Sequence, residues 1–178
     1  MTNRFLEIED LRRAAQARVP RMFYDYVDTG SWSQSTYRAN AAAFDAIKLR
    51  QRVGVDMRGR RLQTQILGQT YALPLGIAPT GNAGMLWPDG EMAAVQACNA
   101  ANVPYCLSTM SICSIEDVAS VAHAPFWFQI YVMTDRDFSG RLIDRAKAAG
   151  CSALVLTLDL QVLGQRHKDL RNGLTSPP

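Results

Sequence analysis

The chain has 178 residues, of which 48% are hydrophobic and 20% charged, a composition ordinary for a globular domain with an apolar core. Its formal net charge is only +3, and no block of five or more Lys and Arg occurs, which argues against a nucleic-acid-binding protein. The sequence shows no signal peptide and no apolar run of 18 residues, so we expect no membrane-spanning segment in it.

The first 73 residues predict helices followed by a small hairpin. A first helix is expected to open with Ile8–Ala15 and to end or restart at Val19–Pro20. Further helices are expected over Arg21–Val27 and Thr36–Phe44, and a β-hairpin over Leu62–Leu67 and Gln69–Leu73 around Gly68. We interpret residues 1–73 as a segment that covers the domain formed by the rest of the chain.

Residues 74–178 alternate between apolar segments and stretches of helical character. The apolar segments are Leu75–Pro79, Tyr105–Leu107, Phe126–Tyr131 and Ala153–Asp159, and each runs into polar residues. This alternation predicts an α/β fold with a parallel sheet, namely the N-terminal half of a TIM-type (β/α)₈ barrel. A closed barrel needs about 250 residues, so we expect the other strands in a C-terminal segment of the same protein that this chain lacks.

The helices between these strands have recognisable starts. Ser114 with Asp117, and Thr134 with Asp137, match the capping-box pattern and predict helices beginning at these points. The fourth strand is followed by a predicted polar loop that runs to Pro178.

The four cysteines form no metal-binding pattern. Cys98, Cys106, Cys113 and Cys151 include no C-x-x-C pair, and neither histidine stands at zinc spacing from them. We therefore predict no metal site, and reduced, buried thiols in a cytosolic protein.

Polar residues at the predicted strand ends suggest a catalytic site. Alternation along a strand places Gln129 and Tyr131 on one face, and Thr157 with Asp159 on one face of the next strand. The alternative is that this face is solvated and Phe128 and Ile130 fill the barrel. Because the chemistry of such barrels lies at the carboxyl ends of the strands, the repetition at four strand ends favours the catalytic interpretation.

Two further features have both a functional and a simpler interpretation. Gly81 and Gly84 allow a backbone to approach a ligand closely, although Ala78–Gly81 also suits a plain strand-to-helix turn. Arg166, seven residues after Asp159, can bind a carboxylate through two N–H groups, although an isolated Arg is more often a surface charge.

As a set, these segments resemble the FMN-dependent α-hydroxy-acid oxidase and dehydrogenase family. The resemblance rests on Pro20–Tyr26, Ala78–Gly81, Leu107–Met110, Phe128–Tyr131, Leu156–Asp159 and Leu163–Arg166. Through Pro125–Gln129 and Gly164–Leu170 the chain looks most similar to the bacterial L-lactate dehydrogenase branch that uses flavin.

The resemblance implies a role for each matching residue. Pro79, Thr80 and Gly81 would border FMN through their backbones, and Ser108, Gln129 and Thr157 would hydrogen-bond its ring. Tyr131 would stabilise the substrate oxygen, Tyr26 and Arg166 would bind the substrate carboxylate, and Asp159 would orient a catalytic imidazole. Gly81 and Met110 depart from the Ala and Trp that are common in the family, which leaves acceptor and substrate size open.

The implied activity is FMN-dependent oxidation of a small L-2-hydroxy acid, L-lactate to pyruvate. Alternatives are a mandelate or long-chain hydroxy-acid enzyme, and a non-catalytic flavoprotein or interaction subunit. Neither His123 nor His167 stands in the motif of the catalytic base, so we expect that His beyond this chain. The family further suggests a homotetramer or larger assembly, a cytoplasmic location that leaves peripheral attachment to the inner face of the membrane open, and a quinone, cytochrome or oxygen as electron acceptor.

Overall fold

The computed structural model describes residues 5–174, and the chain divides into two compact units. The first unit consists of the residues up to Met57 together with those from Val162 onward, and the second runs from Arg58 to Gln161. The predicted boundary at residue 73 stays a prediction.

The described residues form eight helices and five strands. The helices are α1 (Ile8–Arg18), α2 (Arg21–Val27), α3 (Ser35–Ala46), α4 (Ala83–Leu86), α5 (Gly90–Ala101), α6 (Ile115–Val121), α7 (Arg136–Ala148) and α8 (His167–Arg171). The strands are β1 (Thr64–Ile66), β2 (Gln69–Tyr71), β3 (Cys106–Leu107), β4 (Trp127–Tyr131) and β5 (Ala153–Thr157). Helices alternate with strands in the second part of the chain, so the predicted α/β class is confirmed.

A parallel sheet in the order β3-β4-β5 forms the centre of the second unit. β4 pairs with β3 through Leu107 and Phe128, and with β5 along its whole length from Trp127 opposite Ala153 to Tyr131 opposite Thr157. Helices α5, α6 and α7 alternate with these strands, as parallel connections require.

The predicted strand over Leu75–Pro79 is wrong in extent. It is present only as an isolated parallel bridge between Ile77 and Tyr105. Pro104 and Pro79 have no N–H to donate to a ladder, so the pairing cannot extend past this bridge as it does between β4 and β5. Gly76 also lies so close to Pro104 that a Cβ there would be 2.7 Å from the Pro104 Cγ.

The apolar core of the second unit lies between this sheet and its helices. It contains Val95, Cys98, Val103, Tyr105, Leu107, Cys113, Ile115, Val118, Phe126, Phe128, Ile130, Leu142 and Ala146. Phe128 and Ile130 therefore belong to the core between the sheet and its helices.

The predicted helix starts are correct at one position and shifted at the other. Ser114 and Asp117 form a reciprocal capping box at the start of α6. At α7, however, Asp135 and not Thr134 is the N-cap, because its carboxylate accepts a hydrogen bond of 2.8 Å from the Phe138 N–H. An Asp caps as well as a Thr, and its position one residue later fits the helix start.

Strands β1 and β2 pair antiparallel around a two-residue turn of Leu67 and Gly68. Both turn residues have positive φ, 50° and 78°, the backbone that a tight hairpin turn needs.

The first unit contains α1, α2, α3 and α8. Arg12 of α1 donates two hydrogen bonds to Asp28, at 2.8 and 3.0 Å, and Tyr37 of α3 donates a third at 3.1 Å. The short helix α8 lies where the sequence predicted a loop, and the last four residues of that predicted loop, ending at Pro178, lie outside the described residues. Among residues 5–174, no helix combines the length and the apolar character needed to cross a bilayer.

Phe128→Ala should lower the free energy of unfolding by about 3–5 kcal/mol, because it leaves a cavity in the core. Phe138→Ala is the matched control, since Phe138 is 40% exposed and Phe128 only 2%. Urea denaturation followed by circular dichroism measures both. Equal losses for the two variants would contradict the described core.

Candidate active site

Three polar side chains from neighbouring strands form a hydrogen-bonded row at the carboxyl edge of the parallel sheet. The Gln129 amide Nε2 donates to the Thr157 hydroxyl at 2.7 Å, and its Oε1 accepts from the Ser108 hydroxyl at 3.3 Å. Gln129 and Ser108 are 1% and 2% exposed. These contacts fix the Gln129 amide, because only its oxygen can accept and only its nitrogen can donate.

Thr109 strengthens this row and was missed by sequence reasoning. Its backbone N–H donates to Gln129 Oε1 at 3.1 Å, and its hydroxyl donates to the Gln129 backbone carbonyl. The Met110 N–H donates to the Ser108 hydroxyl at 3.1 Å, so the chain after β3 is held against β4. A Thr after a short strand has no distinctive pattern, and only the paired strands reveal this role.

The segment Pro79–Gly81 follows the Ile77 bridge. Pro79 is half-buried, and Thr80 is exposed with its hydroxyl donating to the Ala78 carbonyl at 3.3 Å. A Cβ on Gly81 would lie 3.2 Å from the Met110 Cβ, and one on Gly84 would lie 2.7 Å from the Ile112 Cβ. The missing side chains of both glycines thus allow protein to approach protein here, a use that the sequence interpretation did not foresee.

The two residues predicted to act in catalysis lie at the ends of β4 and β5. Tyr131 is the last residue of β4, half-buried and in register with Thr157. Asp159 lies two residues beyond the end of β5 and is exposed. Tyr131 therefore lies at the carboxyl end of a parallel strand and Asp159 just beyond one, the region that supplies functional groups in such folds.

In the first unit, Arg166 lies against Tyr26. The Arg166 guanidinium carbon is 4.8 Å from the centre of the Tyr26 ring, and its Nη2 donates to the Tyr26 carbonyl. Its Nε donates to Asp169, whose side chain is only 4% exposed. Arg166 is thus a held, half-buried cation and not the free surface charge of the simpler interpretation.

The buried carboxylate of Asp25 connects α2 to α8. It accepts hydrogen bonds from Asn172 Nδ2 at 2.9 Å and from Lys168 Nζ at 3.1 Å. The Asn172 hydrogen bond, aided by Lys168, lowers the pKa of Asp25 despite its burial. This connection fixes α2 and α8 side by side, and with them Tyr26 and Arg166 at their ends.

Sequence reasoning also missed Asp25, Asp169 and Glu91 as buried carboxylates. The three-residue spacing from Arg166 to Asp169 was a usable signal for an ion pair within one helical turn. Glu91 is an acid in the first turn of α5, yet it is 0% exposed. No local sequence pattern indicates that a carboxylate in the first turn of a helix is buried.

The surroundings of the four thiols disfavour the thiolate form. Cys98, Cys106 and Cys113 are buried and Cys151 is half-buried, and all four are free. Burial raises the pKa of Cys106 to about 12 and that of Cys151 to about 11. Within residues 5–174, no three His, Cys, Asp or Glu side chains gather in an arrangement that would hold a metal ion.

Comparison with known families gives one match over most of the chain. The family described as FMN-dependent dehydrogenase matches residues 15–178. The L-lactate dehydrogenase of Vibrio cholerae serotype O1 (strain M66-2) is 44% identical over 168 residues, which are 94% of this chain and 44% of that protein. The L-lactate dehydrogenase of Ectopseudomonas mendocina (strain ymp) is 42% identical over the same shares. The chain spans less than half the length of these curated relatives.

Solved structures give the same picture. A soluble mutant of the membrane-associated (S)-mandelate dehydrogenase from Pseudomonas putida is 38% identical, with a TM-score of 0.89 over 96% of this chain and 49% of that one. A mandelate oxidase is 34% identical, with a TM-score of 0.90 over 97% of this chain and 50% of that one. The chain is therefore similar to these proteins in both sequence and fold.

The connection through Asp25 should make stability depend on pH. Because the pKa of Asp25 is lowered in the folded state, its contribution is complete above its ordinary pKa of about 4 and is lost as the pH falls through the lower folded value. The melting temperature should therefore fall less steeply below pH 4 in Asp25→Asn than in the unmodified protein. Asp45→Asn, at an exposed position on α3, is the control and should keep the original slope.

Proposed function

Because this chain belongs to the family of FMN-dependent dehydrogenases, we propose that the complete protein oxidises a small L-2-hydroxy acid, L-lactate, to the 2-oxo acid pyruvate. One observation carries the proposal, namely the hydrogen-bonded row of Ser108, Gln129 and Thr157 at the carboxyl edge of the parallel sheet. The chain supplies part of the FMN site and part of the substrate site.

The donor set of this row fits the edge of a flavin ring. An amide nitrogen carries two N–H groups and Gln129 uses one of them on Thr157, so the second can donate to a ring carbonyl. The Thr157 hydroxyl accepts from Gln129 and keeps its own proton to donate. Ser108 completes the row, and the backbone of Pro79, Thr80 and Gly81 borders the cofactor. FMN, when bound, accepts the two electrons of the oxidation.

The roles on the substrate side divide between two groups of residues. Arg166 and Tyr26 bind the substrate carboxylate. Nε and Nη2 of Arg166 already donate to Asp169 and to the Tyr26 carbonyl, so its outer end, with Nη1, is the part that meets the carboxylate. Tyr131 donates its phenolic hydrogen bond to the oxygen of the reacting carbon.

Oxidation of the hydroxy acid removes two electrons and two protons. One proton leaves with the electrons to the cofactor, and the other proton must go to a base. Asp159 orients the imidazole that accepts this proton and stabilises the imidazolium cation. That histidine belongs to the C-terminal part of the complete protein in this proposal.

The proposal also includes the architecture expected from the sequence. Residues 74–178 form the first four βα units of a (β/α)₈ barrel, and residues 1–73 form the segment before it. Support comes from the parallel order β3-β4-β5 and the parallel Ile77 bridge.

Mandelate is the second candidate substrate. The solved structures that resemble the chain are mandelate enzymes, at 34–38% identity, whereas the sequence relatives at 42–44% identity are L-lactate dehydrogenases. The higher identity favours lactate. The family adds three expectations to the proposal. The complete protein forms a homotetramer or larger assembly, it lies in the cytoplasm or peripherally on the inner face of the membrane, and its electron acceptor is a quinone, a cytochrome or oxygen.

The proposal is tested on the complete purified protein. We expect it to be yellow, to release FMN on acid treatment as identified by chromatography, and to bleach with L-lactate faster than with (S)-mandelate. If only (S)-mandelate bleached the protein, mandelate would replace L-lactate as the proposed substrate. A colourless protein, or one that neither substrate reduces, would contradict an FMN-dependent hydroxy-acid dehydrogenase.

Arg166→Lys should lower kcat/KM for L-lactate by a factor corresponding to about 1.5–3 kcal/mol, because Lys keeps the charge but loses the planar fork. The visible spectrum of FMN should not change. Arg171→Lys is the control and should keep full activity, since Arg171 is an exposed Arg in α8, the helix that begins directly after Arg166. An unchanged kcat/KM in Arg166→Lys would remove this residue from the substrate site.

A further inference from the structure

Two segments of the second unit carry three of the residues assigned above to FMN, namely Thr80, Gly81 and Ser108. The first segment is Thr80–Gly84, which follows the Ile77 bridge, and the second segment is Ser108–Cys113, which follows β3. They approach each other closely, since the Asn82 N–H donates to the Met110 carbonyl at 2.8 Å. The two segments are therefore held next to each other at this point.

Glu91, in the first turn of α5, connects these two segments through a single oxygen atom. Its Oε1 accepts hydrogen bonds from the Gly84 N–H of the first segment at 3.1 Å and from the Ile112 N–H of the second at 3.0 Å. Glu91 is 0% exposed, so water does not compete for these contacts. A small movement of this oxygen would change the position of both segments together.

The space around this carboxylate is closely filled. A Cβ on Gly84 would lie 2.7 Å from the Ile112 Cβ and 3.1 Å from Glu91 Oε2. Oε2 is buried and has no hydrogen-bond partner among the described residues. The two hydrogen bonds between the segments are therefore both made by Oε1.

Glu91 is held as an anion. Burial acts to raise the pKa of Glu91, but the N–H donors of Ile112, of Glu91 itself and of Gly84 outweigh burial, and the pKa lies below its ordinary value. Glu91 also lies at the start of α5, where the positive end of the helix dipole stabilises a negative charge. The two hydrogen bonds are therefore charge-assisted, and such bonds are about twice as strong as neutral ones.

We propose that Glu91 is a positioning residue that fixes the distance between the two FMN-bearing segments, and so the affinity and geometry of the cofactor site. This inference rests on the proposed function, because it assumes that FMN lies against these segments. It assigns to Glu91 no contact with FMN or with the substrate.

The test compares Glu91→Gln with Val95→Ala in the complete protein. Val95 lies one helical turn further along α5 and is also 0% exposed, but it belongs to the apolar core. We expect Glu91→Gln to raise the dissociation constant for FMN at least ten-fold and to change the visible circular dichroism of bound FMN. Val95→Ala should lower the melting temperature at least as much, change the dissociation constant less than three-fold and leave that spectrum unchanged.

Gly84→Ala is the second variant, since it forces the segments apart without removing the charge, and it serves if Glu91→Gln does not fold. It too should raise the dissociation constant for FMN at least ten-fold. The inference is overturned if Glu91→Gln weakens FMN binding no more than Val95→Ala, or if Gly84→Ala binds FMN as tightly as the unmodified protein. An unmodified protein that binds no FMN would instead contradict the proposed function itself.

Discussion

Strand β4 pairs with a parallel neighbour on each side, and the described site depends on this constraint. Parallel pairing brings the carboxyl ends of β3, β4 and β5 to one edge of the sheet, so residues far apart in the chain come within hydrogen-bonding distance. Gln129 lies between Ser108 and Thr157 because β4 lies between the strands that carry them. The core on the helix side, with Phe128 and Ile130, holds β4 in that place.

In both units, buried carboxylates hold other groups in place through hydrogen bonds. Asp25 connects α2 to α8, and Asp169 holds the guanidinium of Arg166. Glu91 connects the segment after the Ile77 bridge to the segment after β3. In each case a charge taken out of water is stabilised by N–H donors from an element distant in sequence or by a cation. Such contacts are directional, whereas apolar packing is not, and they therefore suit positions where a backbone or a side chain must be held in one place.

The prediction from sequence succeeded where local rules apply. The α2 helix matched its predicted bounds, and Ser114 capped α6 as its spacing indicated. It failed where neighbours in space decide. The segment Leu75–Pro79 had the apolar composition of a strand, but prolines in it and opposite it limit the pairing to Ile77, and α8 formed where the composition indicated a loop.

The sequence by itself determined the strand–helix order, the face that Gln129 shares with Tyr131, and the set of motifs that places the chain in its family, because these follow from residue spacing and identity along the chain. Only the tertiary structure decided which polar groups meet. It brought Thr109 to Gln129, Arg166 to Tyr26 and Asp169, and Glu91 to the backbones of Gly84 and Ile112. The reason is physical: burial and hydrogen-bond partners are properties of contacts between distant segments, and no spacing rule along one segment contains them.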